Sequence, residues 1–177
     1  MITLYHGTDS KFRRPVIDKC LSYKDFGKGF YLTEKFAMAK EWGKRKNSVR
    51  YNVNLYEVED DYLAHAERNG LRVKMFEADA EWAEFVYNNR EVEGYVHDYD
   101  IVVGPVANSK IEAHFAKIKR GEATFEDIAR TLPYASFDAE QICLCSERSF
   151  EIINYRDRYV YPQQNRANHR HRNRRHG

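Results

Sequence analysis

The sequence predicts an α+β domain built from short, mostly antiparallel strands with flanking helices. Two observations support this fold class. Short apolar-alternating runs, such as "NVNLYEVE", recur along the chain, and helical patterns stand between them in an irregular order. A doubly wound parallel sheet would need a regular alternation of strand and helix. The 177 residues, 42% hydrophobic and 32% charged, fit one globular domain that buries a core of its own.

The chain opens with a predicted strand, "MITLYHGT", in which Ile2 and Leu4 alternate with Thr3. The segment "DSKFRRPVIDKCLSYKD" has no clean period and contains a proline, so it is a predicted loop. The run "GFYLT" is a second short strand.

A helix is predicted over "TEKFAMAKEWGKRK", with Thr33 as its N-cap and the basic "GKRK" at its C-terminal end. Three apolar side chains are expected on its inward face: Phe36, Ala37 and Ala39. The next strand, "VRYNVNLYEVE", is expected to place four residues on one face: Val49, Tyr51, Val53 and Leu55.

The second half of the chain continues the mixed order. "LRVKMFE" predicts a strand, and "DAEWAEFVYNNRE" predicts a helix capped by its aspartate, with Trp82, Phe85 and Val86 buried. "YDIVVGPVAN" is an apolar strand interrupted by Gly104-Pro105. Two helices follow, "SKIEAHFAKIKRG", closed by Gly121, and "TFEDIARTL", capped by Thr124. The chain ends with a strand "EQICLCS", a short helix or turn "ERSFEII" and a strand "NYRDRYVY".

Composition excludes several classes of protein. No apolar run approaches the roughly 20 residues that a membrane-spanning helix needs, and the N-terminus lacks the layout of a secretory signal. A cytoplasmic location without membrane contact is therefore expected. Cys143 and Cys145 alternate in a strand, which suits neither a disulfide nor the usual zinc spacing, so the cysteines are expected to be reduced core thiols.

The charge is distributed unevenly along the chain. Residues 162–177 are predicted to be a disordered tail, in which "NRANHRHRNRRHG" carries five arginines and no acid, while residues 1–161 form the domain. Without those arginines the chain has 24 basic and 27 acidic residues, a net charge of −3. Net charge therefore gives no argument for a nucleic-acid-binding body, although the tail alone has the composition to bind phosphates.

Residue types that could bind a ligand or take part in catalysis are concentrated in three places. In "YHGT", a histidine at a strand end is followed by a glycine. In "FGKGFYLTEKFAMAKEW", Gly27 and Gly29 permit close approach of a ligand, while Tyr31 and Trp42 offer flat rings for stacking, unless they are simply core aromatics. In "DAEQICLCS", Glu140 and Gln141 open an apolar strand, where an acid or amide can hold a sugar hydroxyl.

These motifs, in this order, resemble the ADP-ribosyltransferase superfamily of the diphtheria-toxin and poly(ADP-ribose) polymerase type. The run "GKGFY" is close to the polymerases' own pattern, and "YDIVVGPVAN" and "QICLCSERSF" are similar to a poorly characterised bacterial branch. The resemblance covers Ile2 to Tyr155. It implies a split β-sandwich, with NAD as the co-substrate and no metal.

The resemblance also implies roles for individual residues. His6 would hold the hydroxyls of the nicotinamide-side ribose, and Gly7 would pair with the nicotinamide amide through its backbone. Tyr31 would stack on the nicotinamide, with Trp42 at the second aromatic position. Thr8 would lie beside the ribose or phosphates.

Two departures from the family pattern bear on these roles. Ala39 stands where the polymerases have a serine that holds the nicotinamide amide. The last catalytic position is either Glu140, if "EQI" aligns with the polymerases' acid, or Gln141, as in the bacterial branch, which is narrowly favoured. Since neighbouring strand residues face opposite ways, only one of the two enters the cleft.

The expected function is therefore mono-ADP-ribosylation: transfer of ADP-ribose from NAD to a protein or nucleic acid, with release of nicotinamide. A toxin or defence component, with an antitoxin or immunity partner, is the role expected of such an enzyme. The alternative is a catalytically inert module that binds NAD or ADP-ribose, or a protein partner, on the same fold. In a third reading the tail docks on RNA or DNA and selects the substrate.

Overall fold

The computed structural model describes residues 1–44, 49–107, 110–131 and 140–162. These residues form seven strands: β1 (Ile2–Thr8), β2 (Phe30–Leu32), β3 (Arg50–Val58), β4 (Val73–Met75), β5 (Ile101–Pro105), β6 (Glu140–Leu144) and β7 (Asn154–Pro162). They also form five α-helices: α1 (Phe36–Lys44), α2 (Tyr62–Arg68), α3 (Ala80–Glu91), α4 (Ile111–Lys119) and α5 (Phe125–Thr131). Short 3₁₀ turns occupy Ile17–Lys19 and Arg148–Ile152.

The strands are organised into two sheets. The first has the order β1-β3-β7 and is antiparallel throughout. The second has the order β2-β6-β5-β4, and only its β4–β5 pair is parallel. One bridge joins the sheets, since Tyr5 N–H donates to the Thr33 carbonyl at 2.8 Å and Thr33 N–H donates back at 3.1 Å. The predicted α+β class with mostly antiparallel strands is confirmed.

Two cores lie on opposite faces of the second sheet. The alternation along β5 illustrates this, because Ile101 and Val103 face the first sheet while Val102 faces the helices. The core between the sheets includes Leu4, Phe30, Leu32, Tyr56, Ile142 and Leu144. The core against the helices includes Phe26, Trp82, Phe85, Phe115 and Cys143.

Several sequence predictions for the helices are confirmed. The Asp79 carboxylate caps α3 by accepting from the Trp82 N–H at 2.9 Å, and Trp82, Phe85 and Val86 are buried as expected. Thr124 caps α5, since its Oγ1 accepts from the Asp127 N–H at 3.2 Å.

Other predictions about the first half are wrong. Helix α1 begins at Phe36, and Thr33 instead accepts a local bond from the Lys35 N–H at 3.1 Å. Ala37 is exposed, because Ala39 and Gly43 form the strand-facing side of the helix. Val49 lies outside β3 and is 72% exposed. Helix α2 was not predicted.

The opposite face of β3 carries two buried polar side chains, which the apolar pattern of the strand did not predict. Asn52 and Asn54 share that face with the buried Tyr56 and Val58, and both asparagines are fully enclosed. Their amides donate to carbonyls of the loop after β1, at Ser10 and Phe12, at 3.2 Å each. They therefore hold the loop against the sheet.

Strand β7 runs to Pro162, one residue past the predicted domain boundary. The remainder of the tail, residues 163–177, lies outside the described residues, as do the last residues of the predicted "GKRK" helix end. Among the described helices the longest is the 12-residue α3, and none has the length and apolar content needed to cross a membrane.

Candidate functional site

A cavity of about 650 Å³ opens where β1 and β2 diverge beyond the Tyr5–Thr33 bridge. Segments far apart in the sequence line it: the end of β1 and its following loop, β2, α1 and the start of β6. The lining includes most of the residues singled out from the sequence: His6, Gly7, Thr8, Gly29, Tyr31, Trp42 and Gln141. The structure thus brings these seven residues together.

Gly7 presents its backbone to the cavity. Tyr5 directs its N–H and C=O away from β3 to the bridge with Thr33, and the two-residue period of the strand turns the Gly7 groups the same way. An added Cβ on Gly7 would lie 1.8 Å from the Ala39 carbonyl oxygen. Glycine at this position therefore lets α1 pack directly on β1.

His6 connects the two sheets on the other side of β1. Its Nδ1 lies 2.7 Å from the Tyr31 carbonyl oxygen, and its ring packs on Phe30 with centroids 4.2 Å apart. A carbonyl oxygen only accepts, so Nδ1 carries the hydrogen and Nε2 is the acceptor nitrogen of the neutral ring. The ring is thereby fixed in both tautomer and orientation.

Tyr31 is held at both ends. Its hydroxyl donates to the Gly27 carbonyl at 2.8 Å and accepts from the Phe26 N–H at 2.9 Å. Burial raises the pKa of Tyr31 well above its ordinary value, so the phenol stays protonated. The ring is a fixed wall of the cavity, and Trp42, half-buried on α1, also lines it.

Gln141 lines the cavity, whereas Glu140 is exposed and does not. The Gln141 Nε2 donates to the Asp25 carboxylate at 2.7 Å and to the Pro105 carbonyl at 3.2 Å. Both partners are pure acceptors, so the amide nitrogen must face them and the amide oxygen must point the other way. The site therefore contains an acceptor oxygen of fixed orientation.

Asp25 is the centre of this network, and the sequence analysis missed it. One carboxylate oxygen accepts from the Arg90 Nε at 2.8 Å and from Arg90 Nη2, and the other accepts from the Ala107 N–H at 2.9 Å as well as from Gln141. Asp25 is only 6% exposed. Its position directly before "FGKGFY" was the one available sign of a role at the site.

The three remaining predicted residues, Thr8, Gly29 and Ala39, are held by local hydrogen bonding or close packing. Thr8 is buried, and its Oγ1 accepts from the Ser10 N–H at 3.1 Å. Gly29 packs on β6, where an added Cβ would lie 2.3 Å from the Cys143 Sγ. Ala39 is fully buried beneath Gly7 and does not line the cavity.

Charge at the cavity is predominantly positive. Its lining contains five basic and two acidic side chains: Lys11, Arg14, Lys19, Lys24 and Arg90 against Asp9 and Asp25. Arg90 is paired with Asp25 and Arg14 with Glu151, and the four cations other than Arg90 stand on the loop that leads from β1 towards β2. An anion of two or more charges suits this wall better than a cation does.

Within the described ranges, no set of three or more histidine, cysteine, aspartate or glutamate side chains is placed to hold a metal ion.

Comparison with known proteins gives a family but no function. Residues 2–155 match the model of a family described as "Protein of unknown function (DUF3990)", and the chain belongs to that family. No curated protein and no solved structure matches the chain.

Proposed function

We propose that the chain is a NAD-dependent mono-ADP-ribosyltransferase, which transfers ADP-ribose to a macromolecular acceptor and releases nicotinamide. The observation that carries the proposal is the convergence of His6, Gly7, Tyr31 and Gln141 on one cavity. These residues come from three separate strands, and they are the ones that the resemblance to ADP-ribosyltransferases marks for NAD. Two mostly antiparallel sheets that separate beyond the Tyr5–Thr33 bridge are compatible with a split β-sandwich.

The nicotinamide would lie between Gly7 and Tyr31. The Gly7 N–H and C=O offer one donor and one acceptor on the same strand edge, which matches a primary carboxamide and rejects rings that lack it. The fixed Tyr31 ring would stack on the pyridine, a contact worth about 0.5–1.5 kcal/mol beyond burial.

The ribose would lie between His6 and Gln141. The His6 Nε2 and the Gln141 amide oxygen are both acceptors for its hydroxyls, and both are held by contacts on their far side. As neutral nicotinamide leaves, positive charge develops on the ribose, so oriented acceptor dipoles stabilise the transition state. The three lysines of the loop after β1 that line the cavity, Lys11, Lys19 and Lys24, would face the diphosphate.

Incubation with adenylate-labelled NAD and a cell lysate, alongside an assay of nicotinamide release, tests the proposal. Wild type should label an acceptor, and His6→Ala should reduce both signals about a hundredfold or more, in the range found when one oriented transition-state hydrogen bond is removed. Glu140→Gln is the matched control, since Glu140 is exposed outside the cavity. Absence of label transfer and of nicotinamide release, with His6→Ala equal to wild type, would refute the proposal.

A second candidate is an inert module that binds NAD or ADP-ribose without turnover. Gln141 favours it, because an amide stabilises developing positive charge less than a carboxylate does. Calorimetry that shows NAD binding, abolished by a Gly7 or Tyr31 substitution, together with no nicotinamide release would select this candidate over the enzyme.

The acceptor remains a separate proposal. It is a protein or nucleic acid, and a basic tail beyond residue 162 suits a phosphate backbone. If deletion of residues 165–177 leaves nucleic-acid affinity and its salt dependence unchanged, the tail does not select the acceptor. An antitoxin or immunity partner would be identified by inhibition of labelling in the same assay.

A further inference from the structure

Two cysteines lie side by side behind the cavity wall. The Sγ atoms of Cys143 and Cys145 are 3.3 Å apart, because residues two apart in an extended strand point the same way. Cys145 follows the end of β6, but its N–H still donates to the Asp100 carbonyl at 2.8 Å, which keeps the chain extended.

The two thiols differ in their surroundings. Cys143 is fully buried under Gly29 and opposite Tyr31 in the β2–β6 ladder, and burial raises its pKa well above the ordinary value. Cys145 is half-buried, and its hydrogen bond with Cys143, followed by the one with His97, lowers its pKa below the ordinary value. Cys145 is therefore the more readily ionised thiol of the pair.

From its spacing alone this pair was not expected to form a disulfide, but the two Sγ atoms are only 3.3 Å apart and the backbone lies at the limit that a bond allows. Two strand residues span about 6.4–6.8 Å between Cα atoms, which falls at the upper end of the roughly 4.4–6.8 Å range found across disulfides. The sulfur atoms need to approach by only about 1.3 Å to reach the disulfide bond length of about 2.05 Å.

We propose that Cys143 and Cys145 form a redox-modifiable dithiol, which a hydroperoxide converts into an intrachain disulfide. The Cys145 thiolate attacks the peroxide O–O bond, forming a sulfenic acid and releasing hydroxide, which takes up a proton to become water. The Cys143 sulfur gives up its proton and attacks the Cys145 sulfur, and the S–OH bond breaks with release of a second water. Two thiols are oxidised and one hydrogen peroxide is reduced to two waters.

The third cysteine provides an internal contrast. The Cys20 thiol donates to the Val16 carbonyl at 3.5 Å, and burial raises its pKa to about 11. It is therefore protonated and unreactive under conditions in which Cys145 is ionised.

Tryptic mapping of the full chain tests the assignment. Cleavage after Arg130 and Arg148 leaves Cys143 and Cys145 on one peptide, whereas Cys20 lies on the peptide 20–24. The protein is treated with hydrogen peroxide, then alkylated under denaturing conditions and digested. Peptide 131–148 should be unalkylated and lighter by two hydrogen atoms, peptide 20–24 should remain alkylated, and reductant should reverse the change.

Other outcomes overturn the proposal. Full alkylation of peptide 131–148, its cross-link to peptide 20–24 or to a second chain, or direct conversion of Cys145 to a sulfinic acid would each do so. In a Cys143→Ala variant, Cys145 should be trapped as a sulfenic acid by a cyclic 1,3-dione, a product that wild type should not accumulate. If that variant does not fold, the mapping of wild type still decides the question.

Discussion

Replacing Gln141 by glutamate should perturb the network around Asp25 and make the free energy of unfolding depend on pH. The variant places a second carboxyl where an amide nitrogen now lies 2.7 Å from the Asp25 carboxylate. Two full charges at this distance would repel by about 6 kcal/mol at an effective dielectric constant of about 20. Keeping the new glutamate protonated is cheaper, so its folded-state pKa rises.

The loss of stability can be calculated from the proton that the new glutamate must keep in the folded state. An unfolded glutamate has a pKa of about 4.3, and each pH unit above it costs about 1.36 kcal/mol if the folded group must stay protonated. At about pH 7.5 the penalty therefore reaches up to about 4 kcal/mol. At about pH 4 the penalty disappears, because the unfolded chain is protonated as well and a carboxyl O–H can donate to Asp25 in place of the amide.

Urea unfolding of wild type and Gln141→Glu, followed by circular dichroism, measures the difference at the two pH values. Gln141→Met is the control, since it removes the same hydrogen bonds without adding a charge. Its deficit should vary little above about pH 5. An equal deficit for Gln141→Glu at both pH values, or a loss below about 1 kcal/mol at the higher one, would show that the amide does not face Asp25.

Three further substitutions test a close packing contact, a pair of hydrogen bonds and a helix cap. Gly7→Ala should cost about 3 kcal/mol or more in urea unfolding, since its Cβ would lie 1.8 Å from the Ala39 oxygen; wild-type stability would contradict that packing. Tyr31→Phe removes a hydroxyl with two hydrogen bonds and should lose about 1–3 kcal/mol, whereas Tyr23→Phe, at a 62% exposed position, should lose almost nothing. Asp79→Ala removes the α3 cap and should lower the free energy of unfolding by about 1 kcal/mol, and an unchanged midpoint would argue against the cap.

The fold was predictable where local patterns and tertiary packing agree. The caps at Asp79 and Thr124 and the buried face of α3 follow from residue types at fixed offsets, so they were read correctly. Helix α2 has only seven residues, of which Tyr62 and Ala66 are buried, so its periodic pattern is too short to stand out. Ala37 was misjudged because the face that α1 buries is set by close approach to Gly7, which periodicity does not express.

The candidate site was only half predictable. His6, Tyr31 and the Glu140-Gln141 pair each sit in a short motif, and the resemblance of these motifs, in their order, to ADP-ribosyltransferases grouped them as candidates. Asp25 and Arg90 are 65 residues apart and lie in no motif, so their contact emerges only from the packing of α3 against the loop before β2. Buried polar pairs of this kind carry no local pattern, because each partner is ordinary in its own segment.

The Asp25–Arg90 pair also gives a physical reason for a glutamine at position 141. A glutamine at this position looks, from the sequence, like the loss of a catalytic carboxylate. In the structure a carboxylate is still present, one hydrogen bond behind the amide, and Arg90 neutralises it. Asp25 favours an amide at position 141, since a second acid there would face it directly. In the proposed reaction the ribose would therefore meet an oriented dipole rather than a net charge, so transfer would be slower than with a glutamate but the acceptor oxygen would be better fixed. The amide at position 141 is thus matched to Asp25 behind the cavity wall as much as to the proposed ligand in front of it.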